Sequence, residues 1–166
     1  MNKTNLKKVV KDRDILEASG IAHTTWREHY ASILSPGQIE YMLQELQSPD
    51  AIAKAINEGY EYYLIRRLGV SAGYLSIKPN DPQGKMFLSK IYLLAEYRGK
   101  GLASDVVAQL SEMCKKLRLQ AIWLTVNKNN PSIGPYKKLG FETVDEAVTD
   151  IGGGYVMDDY IMEKQI

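Results

Sequence analysis

The stretch "YRGKGLASD", residues 97–105, brings together four small residues, Gly99, Gly101, Ala103 and Ser104. It lies between an apolar, strand-like run and a helix-like pattern. At such a junction free backbone N–H groups and the helix dipole converge, and small side chains leave room for an anion to reach them. Phosphate chemistry is therefore the first expectation. Two common phosphate binders fail in detail. A Rossmann turn needs glycine where Ser104 stands and an acidic residue after the next strand, which here ends in "TVNKNN". A P-loop needs Gly-Lys-Ser/Thr after a four-residue gap, and the chain has none.

Other residues able to do chemistry are few, and each has a plain structural reading when taken alone. Tyr136 in "SIGPYKKLG" reads as a half-buried packing residue, and Asn129 in "NKNN" as a helix cap. Glu28 and His29 in "TWREHY" read as a solvated helix face. Cys114 is the only cysteine, so no internal disulfide forms, which suits a reducing cytoplasm. It shares an apolar stripe with Val106, Val107, Leu110, Met113 and Leu117, the place of a core thiol rather than a nucleophile.

These residues need a frame to hold them. At 166 residues the chain is long enough for one well-buried domain, read as 1–166. A net charge of +1 gives no general attraction to nucleic acid or an acidic membrane. No apolar run reaches membrane-span length, and "MNKTNLKKVVKDRD" lacks the apolar core of a signal peptide. "NLKKVV" reads as a first strand, and residues 12–34 as a helix with a break at Gly20. Ser35-Pro36 and Ser48-Pro49 start two more helices. "EYYLIRRLG" and "VSAGYLSIKPN" form a hairpin at Gly69, and "KMFLSKIYLL" is a long strand feeding the glycine turn. A helix, the apolar strand "LQAIWLTVN", a short helix closed by Gly140 and a C-terminal hairpin around "IGGG" complete the order. The class is α/β, an α+β mixed sheet with helices on both faces.

Arg98-Gly99-Lys100-Gly101-Leu102-Ala103 resembles the Arg/Gln-x-x-Gly-x-Gly/Ala signature of the GNAT N-acetyltransferase superfamily. A second motif of that family is matched by Asn129, Ser132, Tyr136, Gly140 and Phe141. Two motifs separated by an apolar strand are far more specific than either one. The resemblance is strong from Lys85 to Phe141, and the element order fits nearly all of the chain. It implies the acyl-CoA N-acyltransferase fold, with about six to seven strands and about four to five helices.

The resemblance further implies transfer of an acetyl group from acetyl-CoA, with no metal, to a primary amine in a ternary complex. The amides of Arg98, Gly99, Lys100, Gly101, Leu102, Ala103 and Ser104 would hold the pyrophosphate. Ile91, Tyr92 and Leu93 would pair with the pantetheine arm, and the Leu93 N–H would face the thioester oxygen. Asn129 and Tyr136 complete the cofactor set. Tyr136 takes the general-acid position, because a phenol of pKa ~10 keeps its proton at neutral pH and can give it to the leaving thiolate. An amine of pKa ~10.4 must itself lose a proton before it attacks. The glutamate that many relatives carry on the strand before the turn is replaced by Ser89 and Lys90, so Glu28, His29 or a water chain becomes the candidate base.

The acceptor is less sharply drawn. Seven acidic residues against one lysine between Phe141 and Ile166 would attract a polycation, although they would equally protect a solvated hairpin edge. The layout of "WREHY", "SPGQIEYML" and "YVMDDYIMEK" resembles the polyamine-acetylating branch. A small amine or polyamine is therefore the expected partner. A peptide or protein N-acetyltransferase and a non-catalytic CoA-binding regulatory module are the alternatives. A homodimer is compatible with the sequence, which carries no signal for or against one.

Overall fold

The computed structural model describes residues 3–166. The elements follow the predicted order: β1 (Thr4–Lys8), α1 (Asp12–Tyr30), α2 (Pro36–Leu46), α3 (Pro49–Asn57), β2 (Glu61–Arg67), β3 (Val70–Lys78), β4 (Lys85–Leu93), α4 (Leu102–Leu117), β5 (Ala121–Asn127), α5 (Ile133–Lys138), β6 (Glu142–Gly152) and β7 (Tyr155–Gln165). A short 3₁₀ turn, Ala95–Tyr97, joins β4 to the glycine turn. The strands are ordered β1-β2-β3-β4-β5-β7-β6 in one mixed sheet, with β4 and β5 parallel. The chain divides into two compact units, residues 3–78 with 90–106 and residues 79–89 with 107–166.

In the first unit β1, β2 and β3 are an antiparallel run, with Leu6 opposite Ile65 and Tyr63 opposite Leu75. The β2–β3 hairpin turns on Leu68 and Gly69, both at positive φ, the geometry that two-residue hairpin loops prefer. Ser35 and Ser48 cap their helices as expected, accepting from the Gln38 and Ala51 amides at 3.2 Å each.

Helix α1 departs from expectation in two ways. It runs unbroken through Gly20 and stops at Tyr30 rather than Leu34. Gly20 is exposed, while Ile15, Ala18, Ile21, Ala22, Thr25 and Trp26 form a buried face on both sides of it. Burying that face outweighs the roughly 1 kcal/mol that one glycine takes from a helix.

In the second unit β5 is paired along its whole length with β7, from Ala121 opposite Gln165 to Asn127 opposite Asp159. The parallel β4–β5 ladder is short, joining Lys85, Met86 and Phe87 to Ala121, Ile122 and Trp123. One sheet face carries Met86, Ile122, Leu124, Val126 and Met162, all buried, and receives α4, whose Cys114 Sγ lies 3.8 Å from Met86 Sδ. Burial pushes the Cys114 thiol up to about 11, so at neutral pH it is an inert core thiol. The opposite face of these strands alternates Phe87, Trp123, Thr125, Asn127, Asp159 and Ile161. Strand β6 is an edge, almost wholly exposed and interrupted by irregularities at Thr143/Asp145 and Asp150/Gly152. Bulges and acidic side chains there blunt an edge that would otherwise template aggregation.

Candidate functional site

The glycine turn belongs to the first unit. Gly99 and Gly101 take φ of 71° and 81°, which side-chain-bearing residues rarely adopt. A Cβ at either would meet no protein atom within 4 Å, so the small side chains face open space rather than a packed neighbour. The Arg98 amide bonds back to Ala95 at 3.2 Å and the Asp105 amide to Gly101 at 3.1 Å. The amides between them, residues 99–104, find no acceptor among the described residues, as expected at a helix N-terminus. Asp105 in the first turn of α4 accepts from Thr4 Oγ1 at 2.8 Å, which ties the helix start to β1. Leu102 is buried beneath the turn, whereas Arg98, Gly99, Lys100, Gly101 and Ser104 are exposed. An anion could thus reach the amides without moving the backbone.

Three predicted residues meet at Arg98. Its Nε donates to the Leu93 carbonyl at 2.9 Å, and its Nη2 lies 3.4 Å from Glu28 Oε2. Glu28, expected as a candidate base, is half exposed and paired with this guanidinium.

Strand β4 is anchored through Tyr92. The Tyr92 and Tyr30 hydroxyls are 2.7 Å apart, and the Tyr92 ring lies 5.3 Å from Trp26 and stacks on Tyr74 at 5.7 Å. Trp26 Nε1 donates to the Tyr74 hydroxyl at 2.7 Å, which donates to Gln47 Oε1 at 3.0 Å. Burial holds the Tyr74 phenol well above its ordinary pKa, so the relay stays neutral. Each aromatic pair adds about 0.5–1.5 kcal/mol beyond area burial. Tyr92, predicted to bind cofactor, therefore spends its side chain on α1 and leaves its backbone for other work. Gly73 permits the close approach of β3, since a Cβ there would lie 2.2 Å from the Tyr92 carbonyl oxygen. His29 lies edge-on to Tyr30 and Tyr92 rather than on a solvated face.

Lys90, which accompanies the missing glutamate, has its ammonium pushed down to about 8 by burial. Its Nζ lies 6.0 Å from the Tyr60 ring centre, with Lys78 at 5.1 Å from the same ring.

Tyr136 and Asn129 belong to the second unit. Asn127 Oδ1 accepts from the Asn129 amide at 2.9 Å, and Asn130 Oδ1 from the Ser132 amide at 2.7 Å, so two buried asparagines turn β5 into α5. Asn129 itself is exposed. The N-cap position of α5 is instead Ser132, which makes no side-chain capping bond. Pro135 is the third residue of α5, where a missing N–H does no harm. The Tyr136 ring is half-buried and meets Phe141 edge-on at 5.7 Å. Gly140, at φ 97°, closes the helix.

One residue counted in the sequence only as part of an acidic tail stands apart. Asp159 is 7 % exposed, and its carboxyl accepts no hydrogen bond within the described residues. Burial, reinforced by Asp158, pushes its pKa up to about 6. Strand alternation puts residues 159, 161 and 163 on one face, but Glu163 shares it and Thr125 is exposed on it, so no sequence signal singles Asp159 out.

No group of three or more His, Cys, Asp or Glu residues able to hold a metal exists among the described residues. No helix among them is long and apolar enough to cross a membrane.

The fold has close parallels among solved structures. A PaiA N-acetyltransferase from Thermoplasma acidophilum, solved with coenzyme A, shares 23% identity and a TM-score of 0.82 over 100% of both chains. A chimaera of the Vibrio cholerae spermidine N-acetyltransferase SpeG shares 16% identity and a TM-score of 0.71, covering 99% of this chain and 96% of its own. A ribosomal-protein alanine N-acetyltransferase from Escherichia coli shares 18% identity and a TM-score of 0.71, covering 98% and 94%. At these identities the likeness is one of fold. Residues 21–141, which include both sequence motifs, match the acetyltransferase (GNAT) family, and the chain belongs to that family.

Proposed function

We propose that residues 1–166 work as a single N-acetyltransferase domain that moves the acetyl group of acetyl-CoA to the primary amine of a small, cationic acceptor in the cytoplasm. The observation that carries this reading is the turn at residues 98–104. It combines glycines at positive φ, open space beside them, and unbonded amides at the head of α4. Those features fit a pyrophosphate, and the guanidinium of Arg98 and the ammonium of Lys100 add positive charge at the rim.

The pantetheine arm pairs with Ile91–Leu93, on the part of β4 that lies beyond its three-pair ladder with β5. The Leu93 N–H donates to the thioester oxygen, where negative charge grows as the amine attacks. Arg98 holds the same peptide segment in place through the Leu93 carbonyl. Tyr136 gives its proton to the departing thiolate, and Asn129, at the exposed turn before α5, lies along the cofactor.

A cationic acceptor is favoured by the charge of the second unit. Glu142, Asp145 and Asp150 are exposed on β6, whereas Glu146 and Asp158 are already neutralised by Lys128 at 2.9 and 3.1 Å. The solved spermidine acetyltransferase chimaera of like fold supports the same class.

The test is thiol release from acetyl-CoA with spermidine, simple alkylamines, amino acids and lysine-rich peptides. Release with the free amines establishes the proposal, and release with peptides alone replaces it with a peptide acetyltransferase. Silence with every acceptor, alongside measured CoA binding, makes the chain a CoA-binding module.

A further inference from the structure

Strand β6 ends the sheet, paired with β7 on one side and with no strand on the other among the described residues. An edge of this kind offers a row of main-chain N–H and C=O groups to a further strand. Between its irregularities at Thr143/Asp145 and Asp150/Gly152, the ladder with β7 runs unbroken from Asp145 opposite Ile161 to Asp150 opposite Val156. That regular run, residues 145–150, is about as long as an ordinary strand. Its sequence "DEAVTD" holds no proline or glycine to interrupt a new ladder. The edge also carries apolar surface. Val148 is 70 % exposed, and Val156, on the same face because it opposes Asp150, is 52 % exposed. The two are diagonal neighbours and form a small apolar patch beside the open edge.

Charge selects what can occupy that edge. Glu142, Asp145, Glu146 and Asp150 lie along β6, and the strand contains no lysine or arginine. Glu146 is paired with Lys128 at 2.9 Å. Asp145 and Asp150 accept only local amide bonds, from Glu146 and Gly152 at 2.8 Å each, and no cation pairs with either among the described residues. These two acids stand at the ends of the regular run. A second β6 laid alongside would set acids against acids, and like charges directly opposite destabilise a ladder. The other edge strand, β1, is basic, yet its Lys7 and Lys8 are taken by Asp14 and Glu61 at 3.1 and 3.2 Å. A copy of this chain therefore fits poorly through either edge.

We propose that the β6 edge, residues 145–150, docks an extended, lysine- or arginine-rich segment of a partner protein by strand addition. Main-chain hydrogen bonds to the edge hold the segment. Cationic side chains opposite Asp145 and Asp150 select it, and a β-branched or aromatic residue opposite Val148 covers the apolar patch. The acids that guard the edge against self-association are thus the groups that recognise the partner. The proposal stands apart from the acetyl-transfer reading, because the edge lies within one unit and its use needs no cofactor.

The experiment titrates a short peptide of alternating lysine and valine into the full chain, without acetyl-CoA, and follows amide hydrogen exchange by NMR. Binding should slow exchange at alternate amides within residues 145–150. The double variant Asp145→Lys with Asp150→Lys should bind this peptide roughly tenfold or more weakly and should prefer a glutamate–valine peptide instead. Both positions are exposed, so the Tm of the variant should move little. A lysine–valine peptide methylated on its backbone nitrogens keeps the charge but cannot donate to the edge, and its affinity should fall at least as far. Equal binding of the methylated peptide reduces the contact to diffuse electrostatics and overturns the proposal. Equal binding of the glutamate–valine peptide to wild type overturns it as well, as does no binding of the lysine–valine peptide or protection that falls outside β6. Sedimentation of the free protein as a dimer with residues 145–150 already protected would give the edge to a second copy, and that too overturns it.

Discussion

Arg98 Nε donates to the carbonyl oxygen of Leu93 at 2.9 Å, linking the glycine turn to the end of β4. The same guanidinium pairs with Glu28 on α1. One side chain thus sets the exit of β4, the entry to the turn and the α1 side of the site.

Arg98→Ala should loosen all three contacts. A hydrogen bond to a charged group contributes about 1.5–3 kcal/mol when buried, and this one is exposed, so a roughly tenfold weaker Kd for CoA is expected. Calorimetric titration with CoA measures it, and an unchanged Kd removes Arg98 from the site. Glu28→Gln serves as the control. An exposed ion pair contributes little, so activity should fall less than about threefold. A loss of roughly 10²-fold with the acid limb of the pH profile abolished would make Glu28 the base.

Gly101→Val tests the turn itself. No protein atom opposes a Cβ at Gly101, so the penalty comes from φ 81°, which a β-branched residue adopts only under strain of about 1–3 kcal/mol. Relief of that strain would rotate the amides of residues 99–104 away from a bound phosphate. CoA affinity should fall more than about tenfold, with Gly101→Ala intermediate. If the valine variant holds CoA as tightly as wild type, the turn does not bind the pyrophosphate.

The element order and the two motifs were legible in the sequence because each rests on local rules. Ser-Pro helix starts, a glycine-centred hairpin and a small-residue turn all declare themselves within a few positions. Gly20 misled for the opposite reason: its local propensity lost to the tertiary burial of Ile21 and Trp26 on the same helix. Asn129 drew attention through motif spacing, yet the buried asparagines on either side of it make the turn. Asp159 was hidden because its meaning depends on register. Only its pairing with Asn127 shows why, of the seven acids, this is the one that is buried.

Tyr136→Phe removes only the hydroxyl and keeps the edge contact with Phe141, so the fold and acetyl-CoA affinity should persist. If the phenol is the general acid, kcat should fall roughly 10²–10³-fold while KM for acetyl-CoA is unchanged. Rapid-quench measurement of the chemical step checks this. An unaltered rate of that step would take the acid role from Tyr136.

Lys90 supplies a prediction about stability that needs no substrate. Its folded pKa is about 8, below the 10.5 of a free lysine, because burial disfavours the ammonium. Between those values the unfolded chain binds more protons than the folded one, so the stability of the wild type rises as pH climbs from about 8 to 10.5. Below pH 8 both states are protonated, and the folded protein carries the full penalty of a buried charge. Lys90→Met keeps the length of the stem without the charge and should therefore melt higher than wild type at pH 7. The gap should narrow as pH rises through the same window. Melting curves of the two proteins from pH 6 to pH 10.5 measure it. A gap that stays constant with pH would mean that the Lys90 ammonium is solvated in the folded protein, and that Tyr60 and Lys78 surround an open rather than a desolvated corner of the sheet.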